Sequence, residues 1–114
     1  MLLRLRSVSV TKLVIALVRQ EGTTPEEFPR YWREAHAPLA EQLLHLRRYT
    51  VSEPVEEEPT VDGIAQLFYD STEAFQASME SDVADRVRED SARFTDTDAG
   101  EQYVVRETIR VDET

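Results

Sequence analysis

The sequence has no cysteine, which excludes disulfides, thiol catalysis and thiolate metal sites. Its three glycines, Gly22, Gly63 and Gly100, stand far apart, so no glycine-rich loop is present to cradle a phosphate. No serine sits in a nucleophile elbow. Long hydrophobic runs are also missing. The best candidate, Leu13 to Val18, follows Arg4, Arg6 and Lys12 but ends at Arg19. It is too short for a secretory core or a membrane span, and the pattern predicts a cytoplasmic protein without membrane contact.

Positive charge is scarce. The chain carries 23 acidic and 13 basic residues, for a net charge of -10, and Lys12 is its single lysine. Without a basic stripe there is no footprint for a phosphate backbone, which excludes nucleic acid as a partner. An acidic, lysine-poor surface suits a chain that must stay hydrated in concentrated salt, where the Debye length falls to about 3 Å at 1 M. The composition thus favours a halophilic source over an ordinary acidic protein.

What remains is enough for one domain. A chain of 114 residues, 40% of them hydrophobic, buries about two thirds of its unfolded surface. Residues 1–11 mix Leu, Arg, Ser and Val without turn signals and read as an N-terminal extension or an extra edge strand; residues 12–111 form the domain. Lys12 to Val18 is a strand apolar on both alternating sets, which predicts cover on both faces.

Thr24, Pro25 and Glu27 then fit the N-cap, N1 and N3 positions of a helix. Phe28, Trp32, Ala35 and Leu39 recur at helical spacing on its apolar side. Pro29 predicts a kinked or non-α first turn. Pro38 places His36 at the end of the first helical segment and starts a further short helix through about His45.

Leu46 to Glu53 reads as a second strand, the acidic Pro54 to Asp62 as a loop, and Gly63 to Asp70 as a third strand. Ser71 caps a helix with Ala74, Phe75 and Met79 inward. A break at Ser81–Asp82 leads to a second amphipathic stretch with Val83, Val87 and Phe94, and Gln102 to Val111 is the last strand. The order βαββαβ predicts an α+β, ferredoxin-like fold, a four-stranded antiparallel sheet with helices on one face. The bare face predicts a homodimer through the open sheet face.

Several segments together resemble the EthD family. They are the strand Lys12 to Val18, Pro25-Glu26-Glu27-Phe28, Tyr31-Trp32, His36-Ala37-Pro38-Leu39, Arg48-Tyr49, Asp62-Gly63-Ile64-Ala65 and Ala92-Arg93-Phe94. The resemblance spans roughly residues 12 to 111 and implies a dimeric α/β barrel. Members and relatives include proteins of ether-degradation clusters, a muconolactone methylisomerase and cyclases of polyketide-like phenols. In several of them a histidine shuttles a proton without any cofactor.

On that resemblance His36 is the candidate catalytic residue, since an imidazole both takes and gives a proton near neutrality. The plainer alternative is a histidine that caps carbonyls at a helix end. Tyr31 and Trp32 would wall a substrate pocket, with Trp32 also serving the core. Tyr49 and Tyr69 would orient a substrate or stand as sheet tyrosines. Asp62 would hold an imidazole in one tautomer or cap the turn before Gly63. His36 and His45 lie nine positions apart across a proline, which is no metal-ligand spacing.

Two functions follow. One is a cofactor-independent isomerase or cyclase working by proton transfer on a small cyclic or aromatic carbonyl compound. The other is a non-catalytic dimeric module that binds a small ligand or serves as an accessory. A closed pocket of about 300 Å³ or more between sheet and first helix separates the two.

Overall fold

A computed structural model describes residues 10–113. The extension expected over residues 1–11 lies outside the described residues as far as residue 9, while Val10 and Thr11 already belong to the first strand. The strands are β1 (Val10–Leu17), β2 (Arg48–Ser52), β3 (Gly63–Tyr69) and β4 (Glu101–Glu107). They pair antiparallel throughout in the order β2-β3-β1-β4. Helices α1 (Glu27–Tyr31) and α2 (Ala37–Ala40), separated by a π-helical turn over Trp32–His36, form the first crossover; α3 (Thr72–Met79) and α4 (Asp82–Phe94) form the second. This is the expected α+β, ferredoxin-like fold.

Alternation along the strands divides the sheet. Leu13 and Leu17 of β1 with Ala65, Leu67 and Tyr69 of β3 are buried beneath Phe28, Trp32, Leu43 and Phe94. On the opposite side Lys12, Gln66 and Phe68 share a face with Tyr103 and Val105 of β4. Lys12 donates to Gln66 Oε1 (2.7 Å) and Glu107 Oε1 (2.9 Å), and its ammonium lies 5.1 Å from the Phe68 ring centre.

Local signals account for the helix starts. The Thr24 N–H donates to Glu27 Oε1 and the Glu27 N–H to Thr24 Oγ1, both at 3.0 Å, a reciprocal capping box. Ser71 accepts from the Ala74 N–H and Ser81 from the Ala84 N–H, each satisfying a backbone donor the helix itself leaves unpaired.

The irregularity expected from Pro29 falls one turn later. Glu27–Tyr31 is α-helical, and the Ala37 N–H reaches back five residues to the Trp32 carbonyl. Pro38 has no N–H to contribute there, so the ladder widens instead of breaking. The short helix expected through His45 stops at Ala40; turn bonds from Gln42 to Leu39 and from Leu43 to Ala40 follow, and His45 takes a left-handed φ of 64°. The last strand also ends early, at Glu107, and leaves Ile109 and Val111 exposed.

Candidate functional site

His36 closes the widened turn and points inward; its residue is 7% exposed. Its Nδ1 lies 2.8 Å from Asp90 Oδ2, and its ring packs 4.9 Å from that of Phe94. Both partners come from α4, which lies against the widened turn. Asp90 carries more than one bond. Tyr31 donates its hydroxyl to Oδ1 (2.7 Å), and Arg93 Nη1 reaches the same oxygen at 3.3 Å.

The electrostatics follow from this set. Burial pushes the Asp90 carboxyl up, but the hydrogen bonds from Tyr31, His36 and Arg93, with the charge His36 carries when protonated, outweigh it and hold the group below the usual carboxylate range. The Tyr31 hydroxyl is raised, first by its bond to Asp90 and then by burial. An ionised Asp90 only accepts, so His36 carries its proton on Nδ1 and leaves Nε2 as the free base in the neutral ring. That nitrogen lies 3.5 Å from Ser91 Oγ.

A cavity of about 60 Å³ lies between the helices and the sheet, and His36, Ser91, Trp32 and Tyr49 all line it. Leu13, Leu17, Ala65 and Leu67 make the sheet side apolar. The Trp32 indole N–H donates to the Tyr49 hydroxyl at 2.9 Å, and burial raises the Tyr49 phenol. Gly63 allows this packing, because a Cβ there would overlap the Trp32 ring.

The residues singled out in the sequence therefore part company. His36, Trp32 and Tyr49 meet at the cavity. Tyr31 works from the other side of Asp90 and lines an outer cleft with Arg30, Glu34 and Arg93. Tyr69 is fully buried and bonded to Ser78 Oγ (3.0 Å), which ties β3 to α3. Asp62 meets β1: it accepts from the Arg19 N–H at 2.8 Å, and its own N–H donates to the Leu17 carbonyl.

The partner of the imidazole is Asp90, which sequence reasoning missed. Its signal was present, since Val83, Val87, Asp90 and Phe94 follow helical spacing and put a carboxylate on an apolar stripe. Among the described residues no group of three metal-ligating side chains converges, and no helix is long and apolar enough to cross a membrane.

The EthD domain model matches residues 20–98. The chain belongs to the EthD family. Its fold is similar to that of an EthD family protein from Bacillus halodurans, at 22% identity and a TM-score of 0.76 over 87% of this chain and 99% of that one. A dimeric ferredoxin-like protein from Thermobifida fusca is 12% identical, with a TM-score of 0.65 over 90% of this EthD chain and 92% of its own. SnoaB, a cofactor-independent oxygenase from Streptomyces nogalater, is 16% identical, with a TM-score of 0.60 over 94% and 98%. No curated protein matches the sequence.

Proposed function

We propose that this EthD domain processes a small cyclic or aromatic carbonyl compound by proton transfer, with His36 as general acid and base and no cofactor. The observation that carries this reading is the buried His36–Asp90 pair at an apolar cavity. Asp90 fixes the imidazole so that Nε2 takes a proton from carbon or a phenol, and its charge stabilises the imidazolium that forms. The Tyr49 hydroxyl is the neighbouring group suited to hold an enol or phenol oxygen. Homology of fold with a cofactor-independent oxygenase supports small-molecule chemistry in this architecture, and nothing among the described residues singles out oxygen over simple proton transfer.

The working unit is a homodimer joined through the open sheet face. That reading is supported by Ile64, Tyr103 and Val105, which leave apolar surface exposed there, and by the dimeric state given for the Thermobifida fusca protein.

Solvent deuterium exchange tests the chemistry. The protein in D₂O is incubated with a panel of cyclic enones, lactones and resorcinols, and label uptake is read by mass spectrometry. Wild-type protein should accelerate exchange in at least one class, and His36→Gln should lose roughly 10²- to 10⁴-fold. Binding without any exchange would sink the catalytic reading. It would favour the second one, a ligand-binding or accessory module, which the small inner cavity supports: about 60 Å³ lies well below the roughly 300 Å³ of a small-ligand site.

A further inference from the structure

The helices leave the sheet edge at β4 partly bare. α3 rests on β1 and β3, so the helix-side residues of β4, Gln102 and Val104, stay exposed, Val104 at 53%. Between this strip and the C-terminal end of α4 runs a groove of about 310 Å³, large enough for a small ligand. It shares Ile15, Leu17 and Ser91 with the inner cavity. Those side chains are what stands between the two spaces. Ser91 is also the residue 3.5 Å from His36 Nε2, so the nitrogen assigned to proton transfer sits at the junction.

We infer that the groove and the cavity are two lobes of one ligand site with Ser91 at the neck, and that the ligand is an uncharged two-part molecule. Its apolar end carries the carbonyl or phenol toward His36, and a neutral hydrogen-bonding end lies in the groove. The inference rests on His36 being the proton-transfer group.

The chemistry of each lobe sets the ligand class. The inner lobe is walled by aliphatic side chains such as Leu13, Leu67 and Met79. In the groove the charged groups are already engaged. Arg88 donates to Asp85 Oδ1 (2.7 Å) and to the Met79 carbonyl, Asp96 Oδ1 accepts the Asp98 and Ala99 N–H groups, and Glu101 accepts from the Tyr103 hydroxyl. Among the described residues of the groove, the Thr97 hydroxyl and the Gln102 amide have no side-chain hydrogen bond. An anionic tail would face two carboxylates and a guanidinium that is taken. A cationic one would meet only exposed carboxylates already turned to loop and strand donors, an attraction that water and salt screen. A neutral donor and acceptor fits Thr97 and Gln102.

Gly100 shapes the same lobe. A Cβ there would lie 2.6 Å from the Ala16 carbonyl, so only glycine lets the loop draw in against β1 and set Thr97 and Gln102 on the rim.

Isotope-labelled full-length protein titrated with 6-(hydroxymethyl)-2-naphthol, 6-hydroxy-2-naphthoate and 6-(ammoniomethyl)-2-naphthol, which share the phenol end and differ only at the other, tests the inference by NMR. With the neutral probe the amides of Gly100, Gln102 and Ser91 and the ring signals of His36 should shift on one binding curve. The anionic probe should bind at least tenfold more weakly and the cationic one no more tightly. Thr97→Trp, on the exposed rim, should abolish the response in both lobes. Ser91→Leu should leave the groove amides responsive and silence the His36 ring; if that variant does not fold, Thr97→Trp carries the test.

The inference is overturned if the neutral probe moves the groove without the ring, or the ring without the groove. It is equally overturned if the anionic probe binds as tightly, if the cationic one binds more tightly, or if none of the three moves either lobe. Failure of the proton-transfer reading looks different: the neutral probe still spans both lobes, while His36→Gln exchanges label as fast as wild-type protein.

Discussion

On the helix side of the sheet His36 and Asp90 are paired at 2.8 Å with side chains 9% and 8% exposed; on the open side Lys12 and Glu107 are paired at 2.9 Å with 18% and 26% exposed. The separations are alike and the surroundings are not. Phe94 and the apolar cavity wrap the first pair, whereas the second lies across a face with no helix over it among the described residues, beside Gln66 and the Phe68 ring. Desolvation makes the inner pair costly unless every lone pair is used, and Tyr31 and Arg93 use them. The outer pair keeps water nearby and contributes less. Bond length alone does not tell a chemical group from an interface group; the company each pair keeps does.

Breaking the helix side at its centre should cost most. Trp32 is 1% exposed and donates to Tyr49, so Trp32→Ala should lower unfolding free energy by about 3–5 kcal/mol in urea titrations. Asp90→Asn keeps the shape but removes the charge, and a loss of about 1–3 kcal/mol at neutral pH is expected.

The same variant has a pH signature. Because the folded carboxyl is held below its ordinary value, its stabilisation is present above about pH 4, the unfolded range for aspartate, and is lost as pH falls through the folded value. Wild-type protein should therefore lose stability below about pH 4 more steeply than Asp90→Asn. Parallel curves would mean that Asp90 is not the group responsible.

The open face should respond in association more than in folding. Lys12→Glu sets a carboxylate beside Glu107; it should convert a dimer to monomers in light scattering, with a change in monomer stability of at most about 1 kcal/mol. A variant that stays dimeric would move the interface elsewhere. The smallest effect is the general one. Added salt should raise the stability of a chain of net charge -10 as self-repulsion is screened, and full stability in low salt would count against a halophilic origin.

Much of the architecture was legible because its signals are local. Thr24 with Glu27, and Ser71 and Ser81 before their helices, announce caps within four residues of the bonds they make. The apolar residues of Lys12 to Val18 mark a strand, and Leu13 and Leu17 are indeed buried beneath the helices. The site was harder to read. His36 and Asp90 lie 54 positions apart, and Asp90 sits among Asp82, Asp85 and Glu89 in a helix whose acidity looks like surface. Only its place on the Val83–Val87–Phe94 stripe sets it apart. The end of β4 is hard to read for the opposite reason: Ile109 and Val111 continue the alternation, but the strand ends at Glu107.

The widened turn over Trp32–His36 makes the aim of the imidazole a matter of counting. Each hydrogen bond there spans five residues in place of four, so the helix carries the equivalent of a one-residue insertion. Removing one residue from Arg33–Ala35 would let the ladder return to four-residue spacing while the helix beyond keeps roughly its present register. Trp32 and the helix beyond would keep their seats, while the histidine would lose the widened turn that sets it against Asp90. Length variation in this one turn is thus a switch between a chain that folds with its dyad and one that folds without it.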